Sequence, residues 1–317
     1  MGKVAFLFPG QASQYPGMGK ELGDKYPVAR ATFEEADKAL GFSIWTMCCS
    51  GTEEELKLTA NTQPAILAVS VAAYRVLAER GITPDYVAGH SLGEYSALVA
   101  AGALKFTDAI RLVRKRGTYM QEAVPAGVGS MAAILGLSPA VVTDVCKRAA
   151  EKQVCSPANL NSPDQTVISG DAGAVKRAVE IASQQGAKRA VVLPVSAPFH
   201  SVLMQPAQER LEKDLKAATI SDLRVPLVTN VDADTIRTGE EARQALIRQV
   251  TMPVRWEESM RLLLDEGVNT YVEVGPGRVL TGLMRQIERS VAIFNVEDDK
   301  SLLATLDKIA GAKTDAA

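Results

Sequence analysis

Short apolar runs alternate with longer segments of helical periodicity along most of the chain, and the runs end at glycine or proline. Val4 to Phe8 is continuously apolar and stops at Pro9-Gly10, the pattern of a strand buried on both faces of a sheet. Tyr86 to Gly89 is a second such run. It opens through Gly89-His90-Ser91-Leu92-Gly93-Glu94 into an Ala-rich helix predicted over Leu92 to Ala101. Thr52 followed by three glutamates reads as an N-cap with an acidic first turn. Gln63-Pro64 predicts a buried helix from Pro64 to Arg80, with the proline at its first position. A further helix, Thr107 to Glu122, carries Arg111, Arg114, Lys115 and Arg116 on more than one face, so the four cannot all point the same way.

From Gly127 the pattern changes. Ser130 to Leu135 reads as a strand, Pro139 to Lys152 as a helix, Val154 to Asn159 and Gln165 to Ser169 as strands, Gly173 to Gln185 as a helix and Lys188 to Val195 as a strand. That order, βαββαβ, is the ferredoxin-like unit. Thereafter the pattern gives a helix over Ser201 to Lys216, a strand over Pro226 to Asn230 and helices over Glu240 to Val250 and Trp256 to Glu266. A strand over Thr270 to Val274 then ends in Gly275-Pro276-Gly277, followed by a helix over Gly282 to Glu288 and a strand over Val291 to Asn295. Strands alternating with helices imply a parallel sheet. The expected fold class is α/β: a large domain (1–127 plus 198–309) with a parallel sheet, a small ferredoxin-like domain (128–197) inserted in it, and a frayed tail (310–317). The active site is expected in the cleft between the two domains.

The stretch around Ser91 is the chemical centre of this pattern. A serine on a sharp strand-to-helix turn has its hydroxyl exposed at the carboxyl end of a sheet, and small residues two before and two after let strand and helix pass closely. Such a hydroxyl needs a base, and histidine is the usual one. The chain has two histidines. His90 adjoins the serine and would point elsewhere, which leaves His200, in the Pro-punctuated segment Leu193 to Ser201. The glycine-dense loop Pro9 to Gly19 directly follows the first strand, so its N–H groups can approach a phosphate or an oxyanion. No Gly-Lys-Ser/Thr or G-x-G-x-x-G follows, which disfavours a nucleotide site.

Composition narrows the class. The 317 residues are 47% hydrophobic and 23% charged, with a formal net charge of −2, as in an ordinary soluble globular protein. No long basic block is present, which argues against a general nucleic-acid or membrane-surface binder. The four cysteines, Cys48, Cys49, Cys146 and Cys155, have no C-x-x-C spacing, so they read as reduced thiols of a cytoplasmic protein, with no metal site expected. The first apolar run is too short for a signal peptide or a membrane span.

With these residues placed, the chain resembles the malonyl-CoA:acyl carrier protein transacylases over almost its whole length. The likeness rests on Phe8-Pro9-Gly10-Gln11-Ala12-Ser13-Gln14, Thr62-Gln63-Pro64-Ala65, Gly89-His90-Ser91-Leu92-Gly93-Glu94, Arg116-Gly117 with Met120-Gln121, Pro198-Phe199-His200-Ser201, and Val274-Gly275-Pro276-Gly277. The resemblance implies an α/β-hydrolase-like large domain. It implies that Ser91 carries the acyl group, that His200 is its base, and that the Gln249 main-chain carbonyl orients His200. Gln11 and Leu92 would supply oxyanion N–H groups, Arg116 would grip the malonyl carboxylate, and Gln63, Asn159, Phe199 and His90 would line the substrate site. One departure is Ala12, where the family commonly has glycine. If that position requires positive φ, the loop is strained there.

The implied reaction is ping-pong transfer from malonyl-CoA to the thiol of holo acyl carrier protein, for fatty acid or polyketide synthesis, by a monomer without cofactor. Because carrier proteins are usually acidic, Arg111, Arg114, Lys115, Lys188 and Arg189 are candidates for a docking patch. Two rivals stand beside this reading. One is a serine hydrolase or thioesterase with the same Ser-His pair, and the other is a carrier-protein binder without catalysis.

Overall fold

The computed structural model describes residues 2–195 and 197–314. The chain begins with β1 (Lys3–Phe8), then α1 (Lys20–Lys25), α2 (Pro27–Leu40), α3 (Ile44–Ser50), α4 (Glu53–Lys57) and α5 (Thr59–Glu79). Next come β2 (Tyr86–Gly89), α6 (Gly93–Ala100) and α7 (Phe106–Glu122). The middle of the chain holds β3 (Gly129–Leu135), α8 (Pro139–Ala150), β4 (Cys155–Ser162), β5 (Gln165–Asp171), α9 (Ala172–Gln184) and β6 (Arg189–Val192). The remainder is α10 (Gln205–Ala217), β7 (Leu227–Val228), β8 (Thr235–Ile236), α11 (Gly239–Gln249), α12 (Trp256–Asp265), β9 (Val268–Val274), α13 (Val279–Ile287), β10 (Ala292–Val296) and α14 (Asp299–Thr314).

Six strands form the large sheet in the order β10-β9-β1-β2-β7-β8, parallel except for β8, which is antiparallel to β7. The unbroken apolar character of β1 follows from its central place. Val4, Phe6 and Phe8 pack into one core while Ala5 and Leu7 pack into another on the opposite face. The carboxyl ends of β1, β2, β7 and β9 carry the first loop, Ser91, Asn230 and the Gly-Pro-Gly turn, so the topology delivers these groups to one edge of the sheet.

The second sheet has the order β4-β5-β3-β6, all antiparallel, with α8 and α9 on one face over a separate core of Ala132, Ile134, Val145 and Ile168. This is the ferredoxin-like arrangement expected from the βαββαβ order. Its edge strand β4 is sewn to the large unit. Leu160 N–H donates to the Val254 carbonyl and Val254 N–H to the Ala158 carbonyl, both at 2.8 Å. The small sheet is thereby fixed to the segment that follows Gln249.

Several expectations are corrected. Pro64 does not open its helix: α5 begins at Thr59 and the proline lies inside it. A proline there cannot donate to the Ala60 carbonyl one turn back, and Arg114 supplies the missing donor with Nη1 at 2.6 Å. The helix therefore continues through the proline because a side chain from α7 repairs it. Helices α1 to α3 and α14 carried no sequence expectation, and α14 reaches Thr314, so residues 310–314 are helical where a frayed tail was expected. Residues 315–317 lie outside the described residues. The segment after His200 begins with a short 3₁₀ turn, Val202–Met204, before α10. The capping box at Thr52 is present, with Glu55 as the reciprocal partner.

Ala12 has φ 78°, in the left-handed region that disfavours a side chain. The first loop thus keeps the backbone path of a glycine while carrying alanine. Ala12→Gly is expected to raise stability by about 0.5–1 kcal/mol, because the relieved strain exceeds the added unfolded-state entropy. A lower midpoint in thermal or urea unfolding would contradict this.

Candidate active site

The elbow at the end of β2 has the close packing its sequence suggested. A Cβ on Gly89 would lie 2.0 Å from the Gly93 carbonyl carbon, and one on Gly93 would lie 2.0 Å from the Phe8 carbonyl oxygen. Both positions must therefore be glycine, or strand and helix would part. Between them Ser91 has φ 52°, a strained conformation typical of residues held for function. His200 is strained in the same sense, with φ 56°.

These two residues, 109 apart in sequence, meet with Ser91 Oγ and His200 Nε2 at 2.7 Å. His200 Nδ1 lies 2.8 Å from the Gln249 main-chain oxygen. A carbonyl can only accept, so Nδ1 carries the proton and Nε2 is the acceptor for the serine hydroxyl. No carboxylate is needed to fix this tautomer. Burial, then the charge of Arg116, push the His200 pKa down to about 3, against the bond to Gln249.

Arg116 is the inward-turning member of the α7 cluster. It is 1% exposed. Its Nη1 donates to Gln63 Oε1 at 2.8 Å, and its Nη2 donates to Gln249 Oε1 at 3.0 Å and to Ser91 Oγ at 3.1 Å. The guanidinium stands over the Tyr95 ring, 5.7 Å from its centroid. Among the described residues no carboxylate forms a salt bridge with it, and its Nε has no partner. Burial holds the Arg116 pKa below its ordinary value, and Tyr95 and Glu94 offset this only through space. A cation buried with no carboxylate in contact is costly and is suited to pair with an arriving anion.

Gln63 also reaches Gln11, with Nε2 3.2 Å from Gln11 Oε1. The side chains of Gln11, Gln63, Arg116 and Gln249 thus form one chain of hydrogen bonds past Ser91. The main-chain N–H groups of Gln11 and Leu92 bond to no main-chain carbonyl among the described residues, which leaves both available to an oxyanion. Phe199 is buried in the large core beside His200. Asn159 is buried on β4 next to the bridge with Val254, and its side chain joins none of the bonds around Ser91. His90 is drawn away from the serine: its Nε2 lies 2.9 Å from Asn161 Oδ1, and its ring packs against Trp256.

Two groups in direct contact with the elbow carried no sequence expectation. Asn230, at the end of β7, accepts the Ser91 N–H on Oδ1 at 2.7 Å, and Glu94, 1% exposed, accepts from the Asn230 N–H at 3.0 Å. Burial pushes the Glu94 carboxyl up to about 7. The signal for Glu94 was present as one carboxylate in an otherwise apolar helix.

The basic candidates are mostly engaged within the chain. Arg114 holds Ala60 and Asn61, Lys115 pairs with Asp214, Arg111 bonds the Ala39 carbonyl, and Lys188 pairs with Asp164. Arg189 is exposed on β6. Between α8 and the loop after Gln249 an open cavity of about 510 Å³ reaches His200, lined by Pro139, Leu160, Val202, Met252 and Pro253.

A serine hydroxyl, an imidazole of fixed tautomer and a buried cation within one hydrogen-bond network, beside two unbonded main-chain N–H groups, suit acyl transfer of an anionic acyl group. The comparisons agree. The family model described as the acyl transferase domain matches residues 5–307. The malonyl CoA-acyl carrier protein transacylase of Bacillus subtilis (strain 168) is 50% identical over 303 residues, covering 95% of this chain and 96% of that protein. The solved malonyl CoA-acyl carrier protein transacylase from Coxiella burnetii superposes with a TM-score of 0.95 at 45% identity, covering 96% of this chain and 97% of that one. A malonyl-transacylase solved in complex with its holo type II PKS acyl-carrier protein superposes with a TM-score of 0.94 at 46% identity, covering 96% and 99%. The chain belongs to the acyl transferase domain family, among its malonyl CoA-acyl carrier protein transacylases.

Proposed function

We propose that the chain moves a malonyl group from malonyl-CoA to the phosphopantetheine thiol of holo acyl carrier protein through a malonyl ester on Ser91. The observation that carries this reading is Arg116, buried without a carboxylate partner and bonded to the nucleophile's own oxygen. A malonyl thioester placed on Ser91 brings its free carboxylate to that cation, and the guanidinium fork meets both oxygens at once.

In the first half-reaction His200 Nε2 takes the Ser91 proton, the Oγ–carbon bond forms, and the Gln11 and Leu92 N–H groups hold the oxyanion. The carbon–sulfur bond then breaks, and the imidazolium returns the proton to the departing thiolate as CoA thiol. The carrier thiol repeats these steps in reverse order of roles, which frees Ser91. Atoms balance with the two thiols and the acyl group alone, so no cofactor enters. The apolar cavity beside His200 suits the pantetheine arm that both thiols carry. All these groups lie on one chain, so a monomer suffices. The four free cysteines favour a reducing compartment such as the cytoplasm.

The rival hydrolase would use the same pair and let water resolve the ester. A pulse of malonyl-CoA followed by a chase with or without holo acyl carrier protein separates the two. The transferase reading expects the ester to persist in buffer and to discharge on the carrier. Equal discharge in both arms would overturn it.

The depressed His200 pKa makes a further prediction. A base must be neutral to act, and a group lowered to about 3 is neutral throughout the ordinary working range. The kcat/KM for malonyl-CoA is therefore expected to show no acid limb of His200 origin from about pH 5 to pH 8. Arg116→Ala removes one cause of the depression and should shift the limb upward. Glu94, pushed up to about 7, titrates inside this range, so Glu94→Gln separates the two groups. A limb near an ordinary histidine value that persists in Glu94→Gln would contradict the burial argument.

A further inference from the structure

Ser91 is held at positive φ by side chains that the reaction does not use. Its N–H donates to Asn230 Oδ1 at 2.7 Å, and its carbonyl accepts from Gln249 Nε2 at 3.0 Å. Asn230 is anchored in turn by its Nδ2, which donates to the Gly89 carbonyl at 2.7 Å, so one amide spans the strand end and the nucleophile. Both amide-bearing residues converge on a single oxygen. Glu94 Oε2 accepts from the Asn230 main-chain N–H at 3.0 Å and from Gln249 Nε2 at 2.9 Å. Glu94, Asn230 and Gln249 are all buried.

These three residues come from α6, the segment after β7 and the end of α11, with Asn230 and Gln249 lying 136 and 155 residues beyond Glu94. A buried carboxylate is costly and persists only where its bonds are used. Glu94 touches neither Ser91 Oγ nor His200 among the described residues. Its bonds instead hold the Asn230 main chain and the Gln249 side chain, the two residues that grip the serine's main chain, and Gln249 is also the residue whose carbonyl orients His200.

We infer that Glu94 and Asn230 are positioning residues, a buried clamp that holds the strained Ser91 backbone and the Gln249 segment in the geometry in which hydroxyl, imidazole and oxyanion donors coincide. The inference rests on the malonyl-transfer reading above. Glu94 acts through its hydrogen bonds. Because one oxygen accepts both, a glutamine amide oxygen can take its place without the charge, which gives the clamp a specific test.

Rapid-mixing measurement of CoA release at several malonyl-CoA concentrations reads the burst rate, the burst amplitude and the concentration dependence separately. Glu94→Ala and Asn230→Ala are expected to slow the burst on the order of 10²-fold, since a small misplacement of the nucleophile is enough. The burst amplitude and the malonyl-CoA dependence should stay within about threefold of wild type, because Arg116 keeps Gln63 as a partner. Glu94→Gln should recover a burst within about fivefold of wild type.

Wild-type burst rates in both alanine variants would overturn the clamp. A reduced amplitude with an unchanged rate would mean a loss of folded protein only, and would overturn it as well. Glu94→Gln as slow as Glu94→Ala would show that charge acts rather than the bonds, again against it. If Glu94→Ala does not fold, Asn230→Ala, which leaves the Glu94 bonds in place, carries the same expectation. No malonyl adduct on wild type would overturn both this inference and the reading of function beneath it.

Discussion

His200→Ala is expected to lower the rate of acylation by malonyl-CoA by roughly 10⁴-fold or more, about 5 kcal/mol of barrier. The serine hydroxyl then has no acceptor for its proton, since among the described residues Nε2 is the one base that it contacts. Arg116 still donates to Oγ, but a donor cannot take a proton. The binding groups Arg116 and Gln63 are untouched, so the loss should fall on the rate at saturation and little on KM. Rapid-mixing release of CoA is the measurement, with circular dichroism to confirm the fold. A fall of tenfold or less would mean that another group serves as base.

The second large effect is on selectivity. Arg116→Ala is expected to reduce kcat/KM for malonyl-CoA by about 10²–10³-fold, as loss of a buried partner for a carboxylate does. Acetyl-CoA has no carboxylate to lose, so its value should change much less and the preference between the two thioesters should collapse to within about tenfold. The variant also strands the Gln63 and Gln249 amide oxygens. Arg116→Lys separates the two causes, because it restores charge without the fork. Unchanged preference in Arg116→Ala would remove Arg116 from substrate recognition.

Much of this site was legible because its chemistry is carried by rare or constrained residues. Ser91 sits between two glycines that only a sharp elbow requires, and a chain with two histidines leaves few choices of base. Burial of one arginine on α7 followed from four cations sharing a helix that packs on one side. The role of Gln249 was visible only through family likeness, because the group that contacts His200 is a main-chain carbonyl, which any residue possesses. No local pattern gives Asn230 or Glu94 a role, for a related reason: Ser91 and Asn230 are 139 residues apart and Asn230 and Glu94 are 136 apart, so their pairing is chosen by the fold.

The same holds for helix boundaries. Local rules put Pro64 at a helix start, and only the arrival of Arg114 at the Ala60 carbonyl lets α5 run through it. Helices α1 and α3 have only 6 and 7 residues, too few for an apolar stripe to mark them, and the longer α2 buries Ala29, Thr32, Phe33 and Ala36, a stripe of mostly small residues that stands out weakly in the sequence. Ala12 was recognisable as a departure from the family pattern, and its positive φ makes the strain concrete.

The central claim is that the Ser91 hydroxyl, activated by His200, is where the acyl group rests between donor and acceptor. Peptide mapping by mass spectrometry after brief exposure to malonyl-CoA tests it most directly. The account predicts a single malonyl group on the peptide that contains Ser91, removed by holo acyl carrier protein and missing from Ser91→Ala. A malonyl group on any other residue, or full transfer activity in Ser91→Ala, would contradict it.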